Sequence, residues 1–391
     1  MKVVIVIPTY NEKENTGNMI TALAGIVPRI KEHDVHVLYV DDSSPDGTAD
    51  VIQSFTGKYP WLHLIGGFKK QGLGMAYARG MQYAMKEMKA DYLMEFDADF
   101  QHPPQDIPRL VEQINQGYDF IFGSRYVKGG SVPKEWTLDR KLISFFGNLT
   151  ARILLIMPHI HDVTGGFRLS KVKGFMDKFD FSKLLSKRFA YKIHLFAYMV
   201  DKGAKVKEVP FHFSHRTSGD SKIPKNEIIE TLRVIFLYQL QNPKIHKFIK
   251  FGVVGGIGFF VNLIGLNTFS KYYRFLPLPI GVINFLANAT AAELSIINNF
   301  IFNNLWTFSE EKITSLNKLF SKFLTFNVSS IISGILIPST IIGIGTQVFG
   351  DQYRTLIFII AIFGITVPLN WFIYNKFIWK SGAKIVAPSQ Q

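Results

Sequence analysis

Beyond residue 245 the chain carries four long, mostly apolar runs, at 248–270, 280–302, 323–348 and 356–378. Each is close to or above the ~20 residues a helix needs to cross a bilayer. Apolar core helices of soluble proteins rarely run so long. The region 246–391 is therefore expected to be an all-α, four-helix transmembrane domain. Before it, ~240 residues read as soluble protein, enough for a domain with its own core.

Charge sets the expected orientation. Lys and Arg number 44 against 30 Asp and Glu, a net charge of +14. A basic chain suits nucleic acid, anionic headgroups or phosphorylated substrates. Here the basic residues flank apolar runs, which favours a membrane surface over nucleic acid. Lys244, Lys247 and Lys250 precede the first run, and Lys312, Lys318 and Lys322 lie between the second and third. Lys376, Lys380 and Lys384 come at or after the end of the fourth, while Lys271, Arg274 and Arg354 fall on the opposite side. By the positive-inside rule this bias places both termini and the first domain in the cytoplasm. The chain opens on a strand without a basic n-region and cleavage site, which points the same way. Glu293, inside the second run, is costly in hydrocarbon and is expected to face protein or a headgroup. The chain has no Cys, which excludes disulfides and thiolate chemistry.

The first region alternates strands and helices. Residues 3–7 form an apolar, β-branched run that ends at Pro8-Thr9-Tyr10-Asn11-Glu12, and a helix is expected over 15–30. A second strand, 35–40, ends at Asp41-Asp42. A third, 92–94, runs into Asp97-Ala98-Asp99-Phe100-Gln101-His102-Pro103-Pro104. This spacing predicts a doubly wound α/β domain with a mostly parallel, Rossmann-like sheet. Ligands bind such sheets beyond the carboxyl ends of the strands, where all three polar clusters fall. The first strand is not followed by G-x-x-x-x-G-K-[ST] or G-x-G-x-x-G, which argues against a P-loop enzyme or dinucleotide oxidoreductase.

In extended backbone Asp97 and Asp99 would point to the same side, with Gln101 next in the alternation. Two carboxylates and an amide oxygen suit Mg²⁺ or Mn²⁺ beside a diphosphate. Farther on, Arg125 follows small residues at the end of a short strand. Arg140 and Ser144 lie one turn apart on an unusually apolar helix expected over 138–156. With Arg125 they can form an anion pocket, and the helix reads equally as core or as a membrane-interface element.

Taken together, VIPTYNEKEN, VDDSSPDGT, KKQGLG…ARG, FDADFQHPP and GSRYVKGG resemble the inverting family 2 glycosyltransferases of the GT-A fold, and within them the dolichyl-phosphate mannose synthases. The likeness covers roughly residues 1–225. Glu293, Asn298, Asn299, Asn303 and Trp306-Thr307-Phe308 resemble a GtrA-like membrane domain. Residues 226–245 read as an amphipathic connector at the interface.

The resemblance implies that Pro8, Tyr10 and Glu12 contact the nucleotide, that Val40 and Asp42 hold base and ribose, and that Asp97 and Ala98 lie along ribose and diphosphate. It implies that Asp99 and Gln101 bind the metal and that Arg125, Arg140 and Ser144 hold a lipid phosphate. Asp162, in a D-x-[ST]-x-G-F-R element, becomes a candidate acceptor contact and Arg168 a structural residue. Arg216 and Lys222 match a loop that neutralises the diphosphate. His194 departs from the family pattern, in which many relatives carry an acidic residue. The implied reaction moves mannose from GDP-mannose to polyprenyl or dolichyl phosphate at the cytoplasmic face. The expected catalytic residues are Asp97, Asp99 and Gln101. Transfer from UDP-glucose, or a non-catalytic lipid-sugar translocase, are the alternatives.

Overall fold

The computed structural model describes residues 1–214 and 225–379. The chain forms two compact units that divide between Gln239 and Leu240.

The first unit alternates β1 (Lys2–Thr9), α1 (Lys13–Ala24), β2 (Asp34–Asp41), α2 (Thr48–Thr56), β3 (Leu62–Ile65), α3 (Leu73–Lys86) and β4 (Tyr92–Glu95). It continues through α4 (Ile107–Glu112), β5 (Phe120–Ser124), α5 (Leu138–Leu154), β6 (Arg168–Lys171), α6 (Tyr191–Asp201), β7 (Val206–Pro210) and α7 (Lys225–Gln241). The strands form one sheet in the order β3-β2-β1-β4-β6-β5-β7. β6 runs antiparallel to both its neighbours and the other pairings are parallel. This is the GT-A, Rossmann-like arrangement that strand–helix alternation predicts.

Alternation along the strands builds two cores. Val4 and Val6 of β1 face Tyr77 of α3, Phe196 of α6 and Val234 of α7. Val3, Ile5 and Ile7 face Leu23 of α1, Ile52 of α2 and Leu110 of α4. α3 lies close to the sheet because of Gly80, where a Cβ would collide with Val6 and come within 2.7 Å of a Val40 methyl. The 226–245 stretch, expected to be a separate connector, contributes Val234 and Ile235 to this unit's core.

The order reverses beside β1, so the carboxyl ends of β1, β2 and β4 open onto one crevice. β4 stops at Glu95. Asp97 and Asp99 therefore sit in a loop, where Phe100 adopts a positive φ of 61°. Strand alternation does not aim these two carboxylates; the turn does.

Among the described residues, the second unit consists of four helical runs. They are α8 (Pro243–Tyr272), α9 (Ile280–Phe302), α10 (Leu316–Ile331) continuing into α11 (Ile337–Phe349), and α12 (Arg354–Ile359) continuing into α13 (Val367–Ile373). The last two runs pass through π-helical turns. Two helices, Ile245–Phe275 and Leu356–Ile378, are long and apolar enough to cross a membrane. α9 is long enough but is diluted by Asn284, Asn288, Glu293, Asn298 and Asn299. One end of this unit is packed with aromatic rings, including Phe308 stacked on Trp379 at 4.4 Å. Glu293 accepts a hydrogen bond from Asn327 Nδ2 at 2.6 Å, so it faces protein.

Candidate active site

The polar residues that leave β1, β2 and β4 meet at the crevice. After β1, Tyr10 is exposed and its ring carries Lys70 Nζ 3.5 Å from the centroid. Glu12 precedes α1 and accepts from Asn15 at 2.7 Å. After β2, Asp41 takes Ser44 N–H at 2.8 Å and Thr9 Oγ1 at 3.1 Å. Asp42 is buried against the Arg79 guanidinium. Burial raises its carboxyl above the usual range, and Arg79 only partly offsets this. Val40 has its side chain in the core against Gly80, so only its backbone can face a ligand.

After β4, Asp97 sits on a buried polar platform. Tyr77 Oη donates to its Oδ1 at 2.7 Å, and Lys192 Nζ lies 3.2 Å from Oδ2. Burial alone would raise the Asp97 carboxyl, but the Lys192 ammonium and these hydrogen bonds bring it down to about 2. Lys192 itself is 1% exposed. It reaches this place because residue 166 is glycine, where a Cβ would occupy the site of Nζ. Glu95, two residues earlier at the end of β4, accepts from Tyr191 Oη at 2.6 Å, and burial raises its carboxyl. His102 Nδ1 accepts the Asp97 N–H at 3.3 Å while its ring stacks on Phe167. Burial lowers His102 to about 4, so it is neutral at pH 7.

Asp99 is buried, and its Oδ1 accepts the Gln101 N–H at 3.1 Å. No group of three or more acidic or His side chains is arranged for a metal among the described residues. A carboxylate and an amide oxygen still fit Mg²⁺ or Mn²⁺, which take one or two protein oxygens and complete their shell with phosphate and water. Ala98, between the two aspartates, is buried, and Pro8 is half-buried at the end of β1.

Gln101 also lines a cavity of about 370 Å³ with Arg125, Arg140, Ser144 and Thr164. The structure thus brings the three expected anion-binding residues to one space. Arg125 donates to both oxygens of Asp162, each at 2.7 Å, and to Thr164 Oγ1. Burial and the Arg125 pairing oppose each other at Asp162, and the pairing wins, holding its carboxyl below the usual range. Asp162 is 0% exposed, so it orients Arg125 and is not itself an acceptor contact. Arg140 lies over the Trp136 ring at 4.2 Å. Ser144 shares a 2.6 Å hydrogen bond with Tyr126. α5 and α7 wall the cavity, and their outer faces expose Leu142, Phe146, Ile153, Ile229 and Phe236.

A family model described as Glycosyl transferase family 2 matches residues 4–179, and one described as GtrA/DPMS, transmembrane domain, matches residues 250–379. A dolichol-phosphate mannosyltransferase of Pyrococcus furiosus is 35% identical over 378 residues, 95% of this chain and 98% of its own. The chain belongs to glycosyl transferase family 2. A polyprenol monophosphomannose synthase of Mycolicibacterium smegmatis is 34% identical over 59% of this chain and 84% of its own length. An undecaprenyl-phosphate mannosyltransferase of Micrococcus luteus is 36% identical over 57% and 88%. The chain is thus a glycosyltransferase with a membrane domain.

For this transferase the sequence missed Lys192, Tyr77, Tyr191 and Arg79. One signal was available: Lys192 is a lone charge inside the apolar stretch 189–200. His194, the departure from the family pattern, is a core residue whose Nδ1 accepts the Leu185 N–H at 3.2 Å. Arg168 is buried and donates to the carbonyls of Gly165, Val163 and Lys192, a structural role. Arg216 and Lys222 lie outside the described residues.

Proposed function

We propose that this transferase moves mannose from GDP-mannose to polyprenyl (dolichyl) phosphate with inversion, giving β-linked lipid-phosphate mannose and GDP. One observation carries the reading. The cavity that starts at Gln101 holds Arg125, Arg140 and Ser144 and is walled by two helices with apolar outer faces. Such a site suits a phosphate attached to a long hydrocarbon. The names of the three relatives, each a lipid-phosphate mannosyltransferase or mannose synthase, support the same sugar and acceptor.

An acceptor phosphate monoester has a second pKa near ~6 and is largely a dianion at neutral pH. Its oxygen attacks the anomeric carbon, the bond from that carbon to the diphosphate oxygen breaks, and the electron pair leaves with GDP. No general base is required. Arg125, fixed by Asp162, and Arg140 hold the acceptor in line. Asp97, kept ionised by Lys192 and oriented by Tyr77, lies along the donor. Pro8, Tyr10, Glu12, the Val40 backbone, Asp42 and Ala98 form the nucleotide side. Asp99 and Gln101 would hold Mg²⁺ or Mn²⁺, which would supply charge neutralisation for the departing diphosphate. Arg216 and Lys222 add positive charge there.

We assign the second unit four spans, with both termini and the catalytic unit in the cytoplasm. The bias of flanking lysines supports this orientation. The test supplies the purified full chain with Mn²⁺, polyprenyl phosphate and either labelled GDP-mannose or labelled UDP-glucose. Lipid-soluble label is expected from GDP-mannose. Label from UDP-glucose alone would replace the sugar, and label from neither would end the transferase reading.

A further inference from the structure

We propose that Glu227 reads hydroxyl groups of the sugar being transferred and so sets sugar specificity; this rests on the transfer reaction above. Glu227 lies in the first turn of α7 and lines the same cavity as Gln101, Arg125 and Arg140. Its side chain is 12% exposed. One carboxylate oxygen, Oε1, pairs with Arg188 Nη2. The other, Oε2, is buried and has no hydrogen-bond partner among the described residues.

A carboxylate oxygen shut away from water without a donor is destabilising, so the site is built for a ligand that donates. The reaction brings few candidates. The acceptor phosphate is an anion and is repelled by a carboxylate. The lipid chain has no donor. The nucleobase belongs at the Asp42–Arg79 end of the crevice. The hydroxyls of the hexose remain, and they must lie between the diphosphate at Asp99 and Gln101 and the acceptor at Arg125 and Arg140. The cavity is thus divided by chemistry: a cationic part for the acceptor phosphate and a carboxylate for the sugar.

Glu227 is also held firmly enough to discriminate. α7 buries Val234 and Ile235 completely or nearly so, and Tyr238 Oη donates to Asp201 at 2.7 Å. Those contacts anchor the helix about two to three turns beyond Glu227. Arg188 fixes the carboxylate's orientation from the loop that precedes α6.

The experiment uses the full chain in detergent with Mn²⁺ and polyprenyl phosphate. Donors are the nucleotide-sugar used by the wild type and its analogues lacking one sugar hydroxyl each. With wild type, at least one deoxy donor is expected to lose about 10- to 100-fold in kcat/KM. Glu227→Ala is expected to lose a similar factor on the full donor and to stop distinguishing it from that analogue. KM for polyprenyl phosphate should not change. Glu227→Gln keeps one acceptor oxygen in the same shape and should recover part of the rate. The proposal is overturned if Glu227→Gln and Glu227→Ala keep the wild-type ranking of deoxy donors. It is also overturned if their defect is a raised KM for polyprenyl phosphate, which would make Glu227 a support for α7 alone. A wild type that transfers no sugar from either nucleotide donor overturns the reaction itself, and this proposal with it.

Discussion

The crevice at the strand ends and the cavity between α5 and α7 follow two plans that differ in their walls. At the crevice, charged side chains are already paired within the protein: Asp42 with Arg79, Asp97 with Lys192 and Tyr77, Glu95 with Tyr191. Their supports are strands and a helix packed tightly through Gly80. In the cavity Arg125 is likewise paired, with Asp162, but Arg140, Ser144 and Glu227 stand on helices whose outer faces are left apolar. The first plan fixes a small polar donor. The second accepts a molecule that is anionic at one end and hydrocarbon for the rest. Pairing in advance is what lets the crevice present charge without reorganising during the reaction.

The sharpest way to break this comparison is at the crevice. Asp99→Ala is expected to lower kcat by about 10³-fold, since under the proposed mechanism it would remove a ligand of the metal that neutralises the leaving diphosphate. The rate of labelled lipid formation measures it, over a titration of Mn²⁺. Full activity with unchanged metal dependence would remove Asp99 from the metal site. Next comes Lys192→Met, expected to cost about 100-fold in kcat, because the partly buried Asp97 carboxylate, once it loses its cation, takes up a proton or turns away. Lys192→Arg should not restore the rate, since the space above Gly166 is already filled by Nζ. A Lys192→Met enzyme with normal kcat would show that Asp97 needs no internal partner.

That second variant also marks where reading the sequence stopped. The runs 3–7 and 35–40 carry their strands in plain composition, because a strand buried on both faces must be apolar throughout. Asp97, Asp99 and Gln101 were legible as candidate oxygen ligands from their order after the third strand. Their partners were not, because Lys192 and Tyr77 lie 95 and 20 residues from Asp97 and meet it only once the sheet and helices have closed. Asp162 read as a candidate acceptor contact and not as Arg125's partner, a distinction that only its complete burial makes. The helix over 138–156 left core and interface equally open. The structure decides for exposure, with Leu142, Phe146 and Ile153 outside and Asn148 and Ala151 inside.

The cavity side gives a smaller and different effect. Arg140→Ala is expected to raise KM for polyprenyl phosphate about 10-fold and leave KM for the nucleotide-sugar unchanged. Arg140 contributes one of two cations, and Arg125 remains in place through Asp162. Arg140→Lys should recover only part, because the planar group over Trp136 is lost. A rise in donor KM instead would move Arg140 to the crevice and erase the division between the two sites.

The smallest effect at neutral pH concerns neither site but the core that holds α6, and with it Lys192, in place. Burial lowers His194 to about 4 from an ordinary value of 6.5. The folded state therefore prefers the neutral ring, and between those values the unfolded chain binds more protons than the native one. The sign follows: the stability His194 contributes is fully present above pH 6.5 and is lost as the pH falls toward 4. The loss is at most about 3 kcal/mol, since one pKa unit corresponds to about 1.4 kcal/mol. His194→Phe removes the titration while keeping a ring against Phe179 and Tyr238, at the expense of the bond from Leu185 N–H. Thermal unfolding of the full chain, followed by intrinsic fluorescence between pH 4 and 8, should show a shallower acid limb for this variant and a slightly lower Tm above pH 7. An unchanged acid limb would transfer the pH sensitivity to His102, which burial also lowers to about 4 and which stands at the crevice itself. In that case stability and transfer rate would fall together as the pH drops, because the ring that receives the Asp97 N–H would be the one that takes the proton.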